Sequence, residues 1–185
     1  MKVTTNYALD EEDYLCHRLF YASKSEQYIK QRRKNLFLWP GIFLFLTFLT
    51  FLDDRAFSFY YFLIAAVLFP ILVPIYERFR YKKHYLKYIR ETYKDSFGKT
   101  AEFVFTNETI EAKDQTGINS SVPISQISEI SEIEKYYFLH LQSLGQSFII
   151  PKEKIQNLPE VANAIKEITE KFNIKYNVEL NWKWK

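Results

Sequence analysis

One cysteine, four glycines and three histidines in 185 residues leave little from which the commoner reaction centres are built. A lone Cys16 excludes an intrachain disulfide and a thiolate metal cluster, and it leaves a reducing compartment unchallenged. No nearby feature obviously lowers its pKa, so it reads as a small buried apolar group rather than a reactive thiol. His17, His84 and His140 fall on three different predicted elements without the spacing of a zinc helix, and solvated or packed histidines are expected. The stretch Ser96-Phe97-Gly98-Lys99-Thr100 ends like a phosphate-binding loop, but Tyr93 stands where that loop needs its first glycine. Glu129, Glu132 and Glu134 read as a solvated face, since nothing around them supplies an apolar pocket or a base partner. No enzyme activity, catalytic residue, metal or cofactor is expected.

Charge is missing in a second, more informative place. Leu36 to Leu52 and Ala56 to Tyr76 contain no Asp, Glu, Lys, Arg or His, and only Asp53-Asp54-Arg55 separates them. At about 1.5 Å per residue these runs make helices of roughly 25 and 31 Å, close to the roughly 30 Å hydrocarbon core of a bilayer. A transmembrane hairpin is expected over residues 36–76. The mean hydropathy of -0.24 hides it, because polar ends average against an apolar middle. A cleaved signal is the rival for the first run, but 35 largely polar residues precede it. The absence of ionisable residues inside the runs also removes the usual marks of an ion or substrate path.

What is present is a dense basic border. Lys30, Arg32, Arg33 and Lys34 lead into the first run, and Arg78, Arg80, Lys82, Lys83, Lys87 and Arg90 follow the second. From Met1 to Asn35 there are seven Lys or Arg against five Asp or Glu, and from Glu77 to Lys99 eight against three. The positive-inside rule then places both termini in the cytoplasm and the Asp53-Asp54-Arg55 loop on the far side of a cell (inner) membrane. Arg32, Arg33, Lys34, Arg78, Arg80, Lys82 and Lys83, with Trp39 as an aromatic anchor, are the candidate membrane-interface residues, and anionic lipid headgroups are the expected partner. From Thr100 onward the balance reverses to nine basic against twelve acidic residues, which argues against nucleic acid.

Local signals divide the rest. Residues 1–35 begin with a strand over Val3 to Leu9, and Asp10 then reads as an N-cap before Glu11, Glu12 and Asp13. The helix that follows is loosely amphipathic and either lies along the inner membrane face or packs on the soluble domain. Within the runs, Thr47 and Thr50 share a helical face and have two options: donating to the second helix or to their own backbone. Pro70 and Pro74 predict a kink near the inner interface. Residues 77–99, rich in Tyr and basic side chains, prolong the second helix into the cytoplasm until Gly98 ends it.

Residues 100–185 change period. Strands are predicted over Thr100 to Phe105, Thr109 to Lys113, Ile118 to Val122, Ile127 to Glu134, Tyr136 to Gln142 and Ser147 to Ile150. Turns are predicted at Thr106-Asn107-Glu108, Asp114-Gln115-Thr116-Gly117 and Leu144-Gly145-Gln146. Ile127, Ile130 and Ile133 recur every third residue, so helix competes with strand there. Leu158 to Phe172 has helical spacing with Pro159 in its first turn. The expected fold class is α+β: a two-helix membrane hairpin plus a small antiparallel meander closed by one helix. In the tail, Val178, Leu180, Trp182 and Trp184 alternate with polar residues. That pattern predicts either an added strand, the favoured reading, or indoles dipped into the inner interface, and it makes Trp182 and Trp184 candidate interaction residues.

Two patches, Val122-Pro123-Ile124-Ser125-Gln126-Ile127 and Phe148-Ile149-Ile150-Pro151-Lys152-Glu153-Lys154-Ile155, together resemble the YcxB-like family of bacterial membrane proteins. Ser125 stands where that pattern leads one to expect tryptophan. The resemblance implies a cytoplasmic domain similar to pleckstrin-homology-like folds, without catalytic residues. A non-catalytic membrane protein whose cytoplasmic module binds a protein partner, a lipid headgroup or a second copy of itself is therefore expected. The alternative is an accessory subunit of a transporter or channel, associating through the threonine face and proline pair.

Overall fold

The structure, a computed structural model, describes residues 2–52, 56–113, 119–142 and 147–184. The expected far-side loop Asp53-Asp54-Arg55 and the turns at Asp114 to Gly117 and Leu144 to Gln146 lie outside the described residues. The chain is α+β and forms two compact units, Met1–His17 with Ile89–Lys183, and Arg18–Tyr88 with Trp184–Lys185.

In the first unit, strand β1 (Val3–Ala8) leads into helix α1 (Glu11–Lys24). The Asp10 carboxylate caps that helix, accepting from the amides of Glu12 at 2.9 Å and Asp13 at 3.1 Å. Asp13 returns the bond to the Asp10 amide at 2.7 Å, a reciprocal box that satisfies three donors otherwise left bare at the start of a helix. Strands β2 (Thr100–Phe105), β3 (Thr109–Lys113) and β4 (Asn119–Pro123) follow as an antiparallel meander. The Thr106 hydroxyl closes the β2–β3 turn by accepting from the Thr109 amide at 2.9 Å. β1 completes this sheet, antiparallel to β2 with Val3 opposite Phe105.

The second sheet has the order β7-β6-β5-β8, from β5 (Ile127–Glu132), β6 (Tyr136–Leu141), β7 (Ser147–Pro151) and β8 (Lys175–Val178). Ile127, Ile130 and Ile133 thus belong to a strand and its end rather than a helix. Cross-strand pairing to β6 outweighs the three-residue recurrence, with a register irregularity between Ile127 and Glu129. One sheet closed by a helix was expected. Among the described residues two four-stranded sheets are found, and β8 runs parallel to β5.

Helix α4 (Leu158–Phe172) has Pro159 in its first turn and Asn173 in the left-handed conformation at its end, where the Ile174 amide reaches back to the Thr169 carbonyl. Val161, Ala164, Ile165 and Ile168 form its buried stripe and merge with Phe105, Ile110, Ile130 and Leu139 of the two sheets in one core. The first half of α1 belongs to this unit: the Tyr136 hydroxyl donates to buried Asp13 at 3.0 Å, and the His17 ring meets Phe138 edge-on at 5.3 Å. Packing on the sheet unit is therefore the outcome for that half of the helix.

The second unit is built on α2 (Glu26–Leu52) and α3 (Ala56–Tyr93), which are long and apolar enough to cross a membrane. Both reach well beyond the apolar runs, as expected for α3. α3 stops at Tyr93, before a short turn over Lys94–Ser96, and Gly98 (φ 70°) ends that turn rather than the helix. Rings pair in descending order along the two helices, Trp39 with Phe69, Phe43 with Phe62 and Phe51 with Phe59, so α2 and α3 run antiparallel. The Thr47 hydroxyl donates to the Phe43 carbonyl at 2.8 Å, and Thr50 donates to Leu46 and Thr47 carbonyls. Both threonines satisfy themselves within their own helix.

Candidate membrane-border site

Where the apolar runs stop, polar side chains link α2 to α3. Gln31 donates to Asn35 at 3.0 Å one turn along α2, and Asn35 donates across to the Glu77 carboxylate at 2.5 Å. Glu77 is buried. Such a carboxylate is tolerable only with a donor, and the Asn35 amide supplies it at the level where both helices become polar. Asn35 and Glu77 are the first polar residues beyond the two apolar runs, a signal available in the sequence. Their pairing across 42 positions is not.

One to two turns further from the apolar runs, Tyr28 of α2 is buried against Tyr81 of α3, with centroids 4.9 Å apart and edge to face. Arg32 donates a hydrogen bond to the Tyr28 phenol. Arg80 lies 5.6 Å from the centre of the Tyr81 ring and 5.9 Å from that of Tyr76, and Arg18 sits 5.3 Å over Tyr88. Trp184 completes this aromatic cluster at 5.4 Å from Tyr28 and 6.4 Å from Tyr81, its indole N–H donating to the Arg78 carbonyl at 3.4 Å. Beside it opens a cavity of about 470 Å³ lined by Ala22, Ser25, Gln27, Tyr28, Gln31, Tyr81 and Tyr85.

The expected interface residues thus separate. Arg32, Arg80 and Trp184 converge on the Tyr28–Tyr81 pair, whereas Arg33, Lys34, Arg78, Lys82 and Lys83 present exposed side chains along the two helices. Trp39 is exposed on one side and touches Phe69 on the other. The tail departs from the expected alternation. The strand ends at Val178, Glu179 still bonds the Glu132 carbonyl, and the Trp182 amide closes a turn onto Glu179. Trp182 is half-buried while Trp184 is buried, so the two indoles do not share a strand face. The turn at Glu179 to Trp182 breaks the period-two geometry on which that expectation rested.

Two polar clusters in the sheet unit carry structural chemistry. Buried Asp13 accepts from Tyr136 and pairs with Lys154 at 2.6 Å, and Lys154 also reaches Asp10 at 2.6 Å. Burial pushes the Asp10 carboxyl up, but the Lys154 ammonium and the Asp13 and Glu12 amides outweigh it and hold it below the usual carboxylate range. Cys16, close by, has its thiol pushed up to about 12 by burial and by the charges of Asp13 and Glu12, consistent with an inert thiol. In the second cluster, Glu132 pairs with Lys152 at 2.6 Å and accepts from the Tyr176 hydroxyl, while Glu129 bonds Asn177 and Lys175. Glu129 and Glu132 were expected on a solvated face. Instead they fasten β8 to β5, because the parallel register places Lys175 opposite Glu129 and Val178 opposite Glu132. His84 lies on α3, and His140 Nδ1 is 3.1 Å from the Ser147 hydroxyl.

The YcxB-like protein family model matches residues 105–168. That span runs from the end of β2 into α4 and contains both patches on which the resemblance rests, while α2 and α3 lie outside it. A comparison with curated proteins gives no match.

Proposed function

We propose, taking the YcxB-like match over residues 105–168 as the premise, that this chain is a non-catalytic, membrane-anchored interaction protein. α2 and α3 cross the cell membrane as a hairpin, both termini stay in the cytoplasm, and the two sheets with α4 form a pleckstrin-homology-like module that binds a protein partner, lipid headgroups or a second copy. The observation that carries the anchor is the outward face of the helices: Phe37, Phe51 and Phe57 are 72%, 68% and 88% exposed. A helix apolar on its outside needs an apolar solvent, whereas a core helix would bury those rings. The polar pair Asn35–Glu77 and the exposed cations Arg33, Lys34, Arg78, Lys82 and Lys83 mark where that solvent ends. Association through the threonine face, on which the transporter-subunit alternative leans, loses support because both hydroxyls bond their own helix. Alkaline phosphatase fused after Lys34, after Arg55 and after Lys185 tests the topology. Activity is expected from the Arg55 fusion alone, and activity from either of the others defeats the proposed orientation.

A further inference from the structure

The cavity at the membrane border has a lining unlike the basic bands around it. Ser25, Gln27, Gln31, Tyr28, Tyr81 and Tyr85 line it with amides, hydroxyls and ring faces, and no charged side chain is among them. Charge waits at its edge instead: Arg32 bonds the lining phenol of Tyr28, and Arg80 lies over the lining ring of Tyr81. Its depth follows from helix rise. Gln31 precedes Leu36, and Tyr81 follows Tyr76, by five residues, about 7.5 Å along each helix, which is the reach of the headgroup layer beneath a roughly 30 Å hydrocarbon core. Tyr28 and Tyr85 lie about one turn deeper toward the cytoplasm.

Resting on the membrane-border reading above, we propose that this cavity is a binding site for the headgroup of a monoanionic phospholipid whose phosphate carries a hydroxylated substituent, the glycerol class. Guanidinium groups suit the phosphate, and amides that both donate and accept suit neighbouring hydroxyls. The tyrosine ring faces supply the apolar part of a lining that is otherwise polar, and about 470 Å³ lies within the range of small-ligand sites. Glu77, one turn from Tyr81 on the same helical face and buried, sets a limit on charge. A multiply phosphorylated headgroup would meet its carboxylate, whereas a single phosphate at the arginines would not need to.

The test is native mass spectrometry of the full chain, released from detergent after equilibration with equal amounts of phosphatidylglycerol, phosphatidic acid and phosphatidylcholine. The expected result is at least about fivefold more phosphatidylglycerol than phosphatidic acid retained, a difference of about 1 kcal/mol. The Gln27→Leu/Gln31→Leu variant is expected to abolish that preference. Both glutamines are exposed, so the substitution leaves the helices intact, and circular dichroism checks this. Replacing the exposed border cations Arg78, Lys82 and Lys83 by Gln is expected to reduce both anionic lipids while the ratio between them persists. Equal retention of the two anionic lipids in the wild type, or an unchanged preference in the glutamine variant, overturns the site and leaves the basic border standing. Retention of neither anionic lipid above phosphatidylcholine overturns both.

Discussion

Several phenylalanines of α2 and α3 face outward, and those at the centre of the sheet unit face inward. Phe57 is 88% exposed and Phe37 72%, while Phe105 and Phe138 are at 0%. Polar groups follow the same division. On α2 the threonine hydroxyls fold back onto carbonyls of their own helix, whereas some hydroxyls of the sheet unit cross between elements, as Tyr136 does to Asp13 and Ser128 to the His140 carbonyl. The contrast teaches that burial has a different meaning in each unit. In the sheets an aromatic ring is removed from water by other side chains, and on the long helices the same removal needs an apolar surrounding, which the proposed membrane would supply.

The comparison breaks first at Phe138. Phe138→Ala should cost the sheet unit about 3–5 kcal/mol, since the ring is fully enclosed, while Phe57→Ala should change that unit's unfolding by no more than about 0.5 kcal/mol. Denaturant unfolding of the full chain in micelles, followed by near-ultraviolet circular dichroism, measures both, and comparable losses would contradict the division. A smaller effect is expected at Asp13. Asp13→Asn should cost about 2–3 kcal/mol, because Lys154 and the Tyr136 hydroxyl lose a buried charged partner. Tyr136→Phe should recover part of that loss in the double variant, which a cycle of unfolding measurements reads directly.

Acid sharpens the contrast further. Asp10 and Glu132 titrate below their ordinary values because burial, which raises both, is outweighed by Lys154 in the first case and by Lys152 and Tyr176 in the second. Their contribution is complete above the usual carboxylate range of about 4 and declines as pH falls through the lowered folded values, because the unfolded chain then binds more protons. The sheet unit should therefore lose stability below about pH 4 while the charge-free parts of α2 and α3 keep their helicity, as near- and far-ultraviolet circular dichroism would separate. The smallest effect concerns single amides at the tail. Hydrogen exchange should be slowed at Glu179, which bonds the Glu132 carbonyl, and at Trp182, which bonds Glu179, with faster exchange at Leu180 and Asn181. Uniform protection from Val178 to Trp184 would restore the long strand.

Local pattern was legible over most of the chain, though not in the tail, where a turn replaces the expected strand. The two uncharged runs, the Asp10 cap, the six meander strands and the α4 stripe each follow from residues near one another in sequence, because capping, periodicity and hydropathy act within a turn or two. Of the border site, Arg32, Arg80 and Trp184 were legible as candidates, whereas Tyr28, Gln27, Gln31 and Glu77 carried no signal stronger than that of any polar or aromatic residue beside an apolar run. The sequence alone determined the strands from Val3 to Ala8 and from Thr100 to Pro151, the two long apolar helices and the cationic residues at their borders, but not β8. Tertiary structure alone decided that Val3 pairs with Phe105, that β8 lies parallel to β5, that Asn35 meets Glu77 and that Trp184 settles on Tyr28. Each of these joins residues tens of positions apart. Their choice of partner depends on which surfaces remain uncovered after the local elements have formed, and no short window of residues contains that information.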